Sequence, residues 1–160
     1  MKGTIKMIID LIFDSAEDIE LHINALNRLA MADNVFDQRE KQFIQNIAKS
    51  YAINYPSFSS EKCFETTLSD DEFNKALEKI KTSPVRSKML LKDLIVLGHI
   101  DGHYTDDEKE LVSQISQKLD IASDIVTELE VCIKNILDDI NNLNSVIYGI
   151  TVNETGCIDA

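Results

Sequence analysis

The chain has 160 residues, near the usual size of one domain, and it carries a formal net charge of −12 with no tryptophan. That charge argues against nucleic acid and anionic membrane as main partners, because both reward Lys and Arg; it favours cations, basic protein surfaces or simple solubility. Cys63, Cys132 and Cys157 are scattered and odd in number, with no Cys-x-x-Cys or Cys/His spacing, and read as reduced cytosolic thiols. No signal peptide is expected, since Asp10 and Asp14 interrupt the only apolar run near the start, and no stretch of about 18 apolar residues predicts a membrane span. The expected location is the cytoplasm.

Residues 4–13 predict a short helix with Ile5, Ile8, Ile9 and Ile12 on one face. Ser15 is placed to cap a helix over 16–32, with Glu17 and Asp18 in the first turn, where the helix dipole favours anions. Ile19, Ile23, Leu26, Leu29 and Ala30 form its apolar stripe, while His22 stands alone on it. The helix should stop at Asp33–Asn34, because Asn tolerates the left-handed conformation that ends helices. Asp37 then begins a helix over 38–52, with Glu40 at capping-box spacing and Phe43, Ile44, Ile47, Ala48 and Tyr51 inward. Residues 53–68, with Pro56 and three serines, form a connector with one short helical turn near 60–65.

Ser69 and the three acids after it start an amphipathic helix over 70–81, inward at Phe73, Ala76, Leu77 and Ile80. Ser83–Pro84 opens a helix over 84–99, with Pro at the first position, where its missing N–H costs nothing. Apolar residues cover more than one face of this helix, which predicts the most buried one. After Gly102, Thr105 and Glu108 make a capping box for a helix over 106–119. Ser123 is expected to cap a last helix, 124–148, striped by Ile125, Leu129, Cys132, Ile136, Ile140, Leu143 and Ile147. The tail 150–160 has no period and reads as mobile. No strand-like alternation occurs, so the expected fold is all-α: one domain over 1–149 of about seven helices.

An internal repeat organises this domain. Shifting by 68 positions lays 26–53 on 94–121 along one ungapped diagonal, with Leu26 on Leu94, Leu29 on Leu97, Asp33 on Asp101, Glu40 on Glu108, Lys41 on Lys109 and Ile47 on Ile115. Two pseudo-symmetric helix–turn–helix units follow, at about 21–53 and 89–121. Each has an Asp at the turn and a Glu seven residues later.

Glu40 and Glu108 have a sufficient role as caps of their own helices. Asp33 and Asp101 sit at helix C-terminal ends, where the dipole disfavours negative charge. An anion kept there in both copies needs a partner: a cation, an Arg, or backbone N–H groups of the turn. The four acids are hard oxygen donors without the Cys or paired His of structural zinc, so Asp33, Glu40, Asp101 and Glu108 are the candidate ligands of a divalent cation, Mg²⁺ or Ca²⁺. A calcium EF-hand is excluded, because Leu97 and His99, and Leu29 and Met31 in the other copy, would occupy its first and third ligand positions. His99 and His103 correspond to Met31 and Val35 in the first repeat, so imidazole is not part of the repeated feature. No nucleophile–base set can be assembled. The expected function is therefore non-enzymatic, with a metal-dependent hydrolase using the same carboxylates and a purely structural helical domain as alternatives. The length of the last helix suggests a seam for a homodimer or another protein partner.

Leu29-Ala30-Met31-Ala32-Asp33 with Glu40, and Leu97-Gly98-His99-Ile100-Asp101-Gly102 with Glu108, resemble the TerB-like family associated with tellurite resistance. The likeness spans about 16–121. Asn34 stands where that pattern has Gly, and His99-Ile100 where it has small residues. The resemblance implies one all-helical domain with two pseudo-symmetric halves, a divalent cation held by the acids of the repeats, and work in a stress-response system beside membrane-bound partners. The same family includes N-terminal domains of DnaJ-type co-chaperones, but this chain has no His-Pro-Asp triplet and so no J-domain of its own.

Overall fold

The computed structural model describes residues 15–65 and 67–149. The helix expected over 4–13 and the tail 150–160 lie outside the described residues. Six α-helices follow in order: α1 Ala16–Ala30, α2 Gln38–Ala52, α3 Asp70–Lys81, α4 Pro84–His99, α5 Asp106–Lys118 and α6 Ser123–Tyr148, with a 3₁₀ turn at Ser60–Lys62 between α2 and α3. Among the described residues there is no strand, and the fold is all-α. Among the described residues no helix is long and apolar enough to cross a membrane.

The repeat is visible in the helix boundaries. The starts of α1 and α4 lie 68 residues apart, 16 to 84, and so do those of α2 and α5, 38 to 106. The connecting turns are alike as well. Asn34 and Gly102, equivalent under the same shift, both adopt a left-handed backbone, with φ of 63° and 85°. Gly reaches that region without a steric penalty, and Asn is among the few other residues that tolerate it. Asn34 therefore performs the turn that Gly102 performs.

α1 and α4, the first helices of the two repeats, pack on each other at the centre of the domain. Ile19, Ile23, Leu26 and Leu29 meet Leu90, Leu91, Leu94, Ile95 and Leu97 in one core, to which α2 adds Ile44 and Ala48, α3 adds Phe73, Leu77 and Ile80, and α5 adds Val112 and Ile115. Burying each such side chain contributes roughly 1.5–3 kcal/mol relative to exposure. α4 was expected to be the most buried helix, but α1 has more buried positions, including Leu21, His22 and Asn24 off its apolar stripe. The reason is its position: α1 packs against α2, α3, α4 and α5.

The caps mostly follow the sequence. Ser15, Asp37, Ser69 and Thr105 each accept a hydrogen bond from a backbone N–H of the first turn, the last three in reciprocal capping boxes. The last helix differs. Its N-cap is Ala122, and Ser123 is its first residue, with no side-chain cap. Its stripe differs too. Val126, Leu129, Ile133 and Leu137 pack on the core, whereas Ile136, Ile140, Leu143 and Ile147 are exposed. α6 ends at Gly149, in the left-handed conformation favoured just past a helix C-terminus.

Candidate functional site

The four acids singled out by the repeat occupy equivalent environments. At each turn the Asp closes a local loop with its own backbone: the Val35 N–H donates to Asp33 Oδ1 and the His103 N–H to Asp101 Oδ1, both at 2.8 Å. The turn N–H groups thus partner the misplaced anions, one of the three partners the sequence left open. At each following helix the Glu is buried, 4% exposed in both copies. Glu40 Oε2 accepts from the Asp37 N–H at 2.8 Å, and Glu108 Oε2 accepts from the Thr105 N–H at 2.7 Å and the Thr105 hydroxyl at 2.8 Å. The second oxygen of each of the four carboxylates accepts no hydrogen bond among the described residues.

An aromatic ring completes the unit in both copies. The Lys41 ammonium lies 4.9 Å from the Phe36 ring centre, and the Lys109 ammonium 5.6 Å from that of Tyr104, each a cation over a π face. Tyr104 lies so close to α4 that a Cβ on Gly98 would come within 2.5 Å of its ring. In the first repeat Ala30 takes the place of Gly98, and Phe36 instead meets Phe64 edge-on at 5.5 Å.

The crossing of α1 and α4 brings the two turns together. Burial pushes the Glu40 carboxyl up from the usual 4.5, the Asp37 N–H bond pulls it down, and the negative charges of Asp101, Glu108 and Asp33 push it up again, to about 7. Glu108 is likewise raised, chiefly by burial against the pull of its Thr105 bonds, with Asp101 and Asp33 adding to the rise. Each Glu therefore feels both Asp residues, one from its own repeat and one from the other. The groups are neighbours rather than a closed cage. Among the described residues no three His, Cys, Asp or Glu side chains are arranged to hold a metal ion. The donor chemistry fits a hard cation, since four carboxylates offer oxygen alone.

The histidines divide differently. His103 is exposed. His99 packs its ring against Tyr104 with centroids 4.7 Å apart, and burial holds it below the usual imidazole range. His22, a lone residue in the sequence, is buried in a polar network. Its Nε2 lies 2.8 Å from Asp93 Oδ2; the Tyr51 hydroxyl donates to the same oxygen at 3.4 Å, and the Lys92 ammonium meets Asp93 Oδ1 at 2.7 Å. Burial pushes Asp93 up, but the bond and charge of His22 and the Lys92 charge outweigh it and hold the carboxyl below its usual range. A signal for this network stood in the sequence: Asp93 interrupts the apolar run of α4, and a buried acid needs partners.

A second linkage ties α1 to α3. Arg28 stacks on Phe73 at 4.3 Å, and its guanidinium donates to Asn24, Asp70 and the Leu68 carbonyl. Asp18, buried near the start of α1, meets Lys79 at 3.1 Å and Arg86 at 3.6 Å. These contacts fix the orientation of the helix that carries Asp33 at its end. Comparison with protein-family models, with curated proteins and with solved structures returns no match for this chain.

Proposed function

We propose that this chain is a non-enzymatic, cytoplasmic interaction module of the TerB-like kind, and that Asp33, Glu40, Asp101 and Glu108 bind a divalent cation, Mg²⁺ or Ca²⁺, which regulates it. The observation that carries this reading is the pair of buried glutamates, each within electrostatic reach of the aspartates of both turns. Four like charges drawn together by the fold repel one another. A cation relieves that repulsion as well as gaining ligands. The Asp side chains belong to the turns and the Glu side chains to the first turns of α2 and α5, so an ion shared among them would tie the two repeats together. In this reading the protein surface is what a partner recognises, and the ion sets how firmly the two halves are held. The resemblance of the repeated motifs adds a stress-response setting, with tellurite resistance as its family example, and a protein partner.

Thermal melting tests it. The parent and the Asp33→Asn/Asp101→Asn double variant are melted with EDTA, Mg²⁺ and Ca²⁺ at matched ionic strength, because any salt screens a chain of charge −12. An ion that binds only the folded form raises stability by about 2.7 kcal/mol at a hundredfold excess over its dissociation constant. The expected result is a divalent shift in the parent that the double variant lacks. Equal shifts in both would reduce the four acids to caps and turn residues.

A further inference from the structure

Among the described residues, nothing packs against the apolar stripe on the outer half of α6. Val126, Leu129, Ile133, Ile136, Ile140, Leu143 and Ile147 recur alternately three and four residues apart, the a/d spacing of a coiled coil. The first three pack on the core, and Ile133 is buried. The last four are 48–59% exposed.

We propose that these four residues form the interface of an antiparallel homodimer. The spacing itself selects a second copy. Steps of four, three and four read the same in both directions. A two-fold axis midway between Ile140 and Leu143 therefore sets Ile136 opposite the other copy's Ile147, and Ile140 opposite the other copy's Leu143. Such self-complementarity is what an isologous interface requires.

Charge supports the same occupant. In a chain of −12, the stretch from Ile140 to Tyr148 contains no charged residue, and Asp138 and Asp139 are the nearest acids. In the antiparallel register Asp139 faces the uncharged 144–146 stretch of the other copy, so two acidic molecules meet without facing acids. A basic partner would find no acid on this stripe to pair with.

The area is sufficient for a weak, specific dimer. With Val146, 83% exposed beside the stripe, the five side chains offer roughly 600 Å² per copy, or roughly 1,200 Å² in all, the lower bound of standard interfaces. A patch of roughly 600 Å² per copy is at the upper end of what monomers expose, a range in which such patches are often functional. The proposal is independent of the cation reading, since none of the four acids lies on α6.

Analytical ultracentrifugation of the full chain from about 1 to about 100 µM, the range that brackets weak dimers, tests the association. The expected result is a reversible dimer, with Ile140→Glu and Leu143→Glu weakening it at least tenfold while circular dichroism and melting of the monomer stay unchanged. Cross-linking tests the register, in a Cys132→Ser/Cys157→Ser background. Ile136→Cys mixed with Ile147→Cys should form a disulfide-linked pair under mild oxidation, and Ile136→Cys alone should not. A parent that stays monomeric throughout overturns the proposal and leaves the stripe to a different protein. Self-linking by Ile136→Cys overturns the antiparallel arrangement.

Discussion

Replacing Glu40 by Gln should stabilise the metal-free protein at pH 8 and leave it nearly unchanged at pH 5. Gln retains the acceptor that meets the Asp37 N–H, since either Glu or Gln closes a capping box. What it removes is a buried charge beside three other carboxylates. The folded-state value of Glu40 is about 7, against 4.5 for an unhindered Glu. A raised value means that the folded form holds its proton more tightly than the unfolded one. The resulting stability is fully present below about pH 4.5 and is lost as the pH rises through 7. A shift of that size corresponds to an upper bound of about 3 kcal/mol, and relaxation around the site brings the expected difference to about 1–3 kcal/mol. In a domain of this length that is about 3–10 °C in melting temperature. Melts of parent and variant by circular dichroism, in EDTA at both pH values, measure it. If Glu40→Gln lowers the melting temperature by the same amount at pH 5 and pH 8, the carboxylate acts only as a cap and the electrostatic argument fails. Saturating Mg²⁺ or Ca²⁺ at pH 8 should close the gap, because only the parent keeps its full set of ligands.

Asp93→Asn should destabilise by about 1.5–3 kcal/mol, the worth of hydrogen bonds to a charged group, because a neutral amide replaces the buried carboxylate that His22, Tyr51 and Lys92 all meet; chemical denaturation at pH 7 reads this directly. Gly98→Val should cost about 2 kcal/mol or more, because its side chain overlaps the Tyr104 ring, and near-ultraviolet circular dichroism should report displacement of that tyrosine.

The helices were legible because apolar spacing and caps are local. Asp37, Ser69 and Thr105 all cap as their sequences imply, and Ser15 and Pro84 marked the starts of α1 and α4. What local pattern cannot carry is the relative placement of elements. The stripe of α6 looks uniform along the chain, yet the helix outruns the core, and only its first half finds α4. His22 looked solitary because its partner Asp93 is 71 residues away. At the candidate site the acids themselves were readable from their repetition. Their approach was not, because it depends on how α1 crosses α4, which no turn or cap encodes. The raised value of Glu40 is a consequence of that crossing and was equally invisible.

The central pairing of α1 with α4 also governs how the molecule comes apart. Each repeat holds its own caps and turn, but Leu26 of one and Leu94 of the other lie in a single core, where the two repeats pack on each other. Separation of the halves therefore opens that shared core from both sides at once. Backbone amides of α1 and α4 should therefore exchange with solvent only through global opening, at one common rate, although 68 residues of chain lie between their first turns. A protease that cuts the 53–59 connector would leave two fragments held together by that same interface, and they would dissociate only as the whole unfolds.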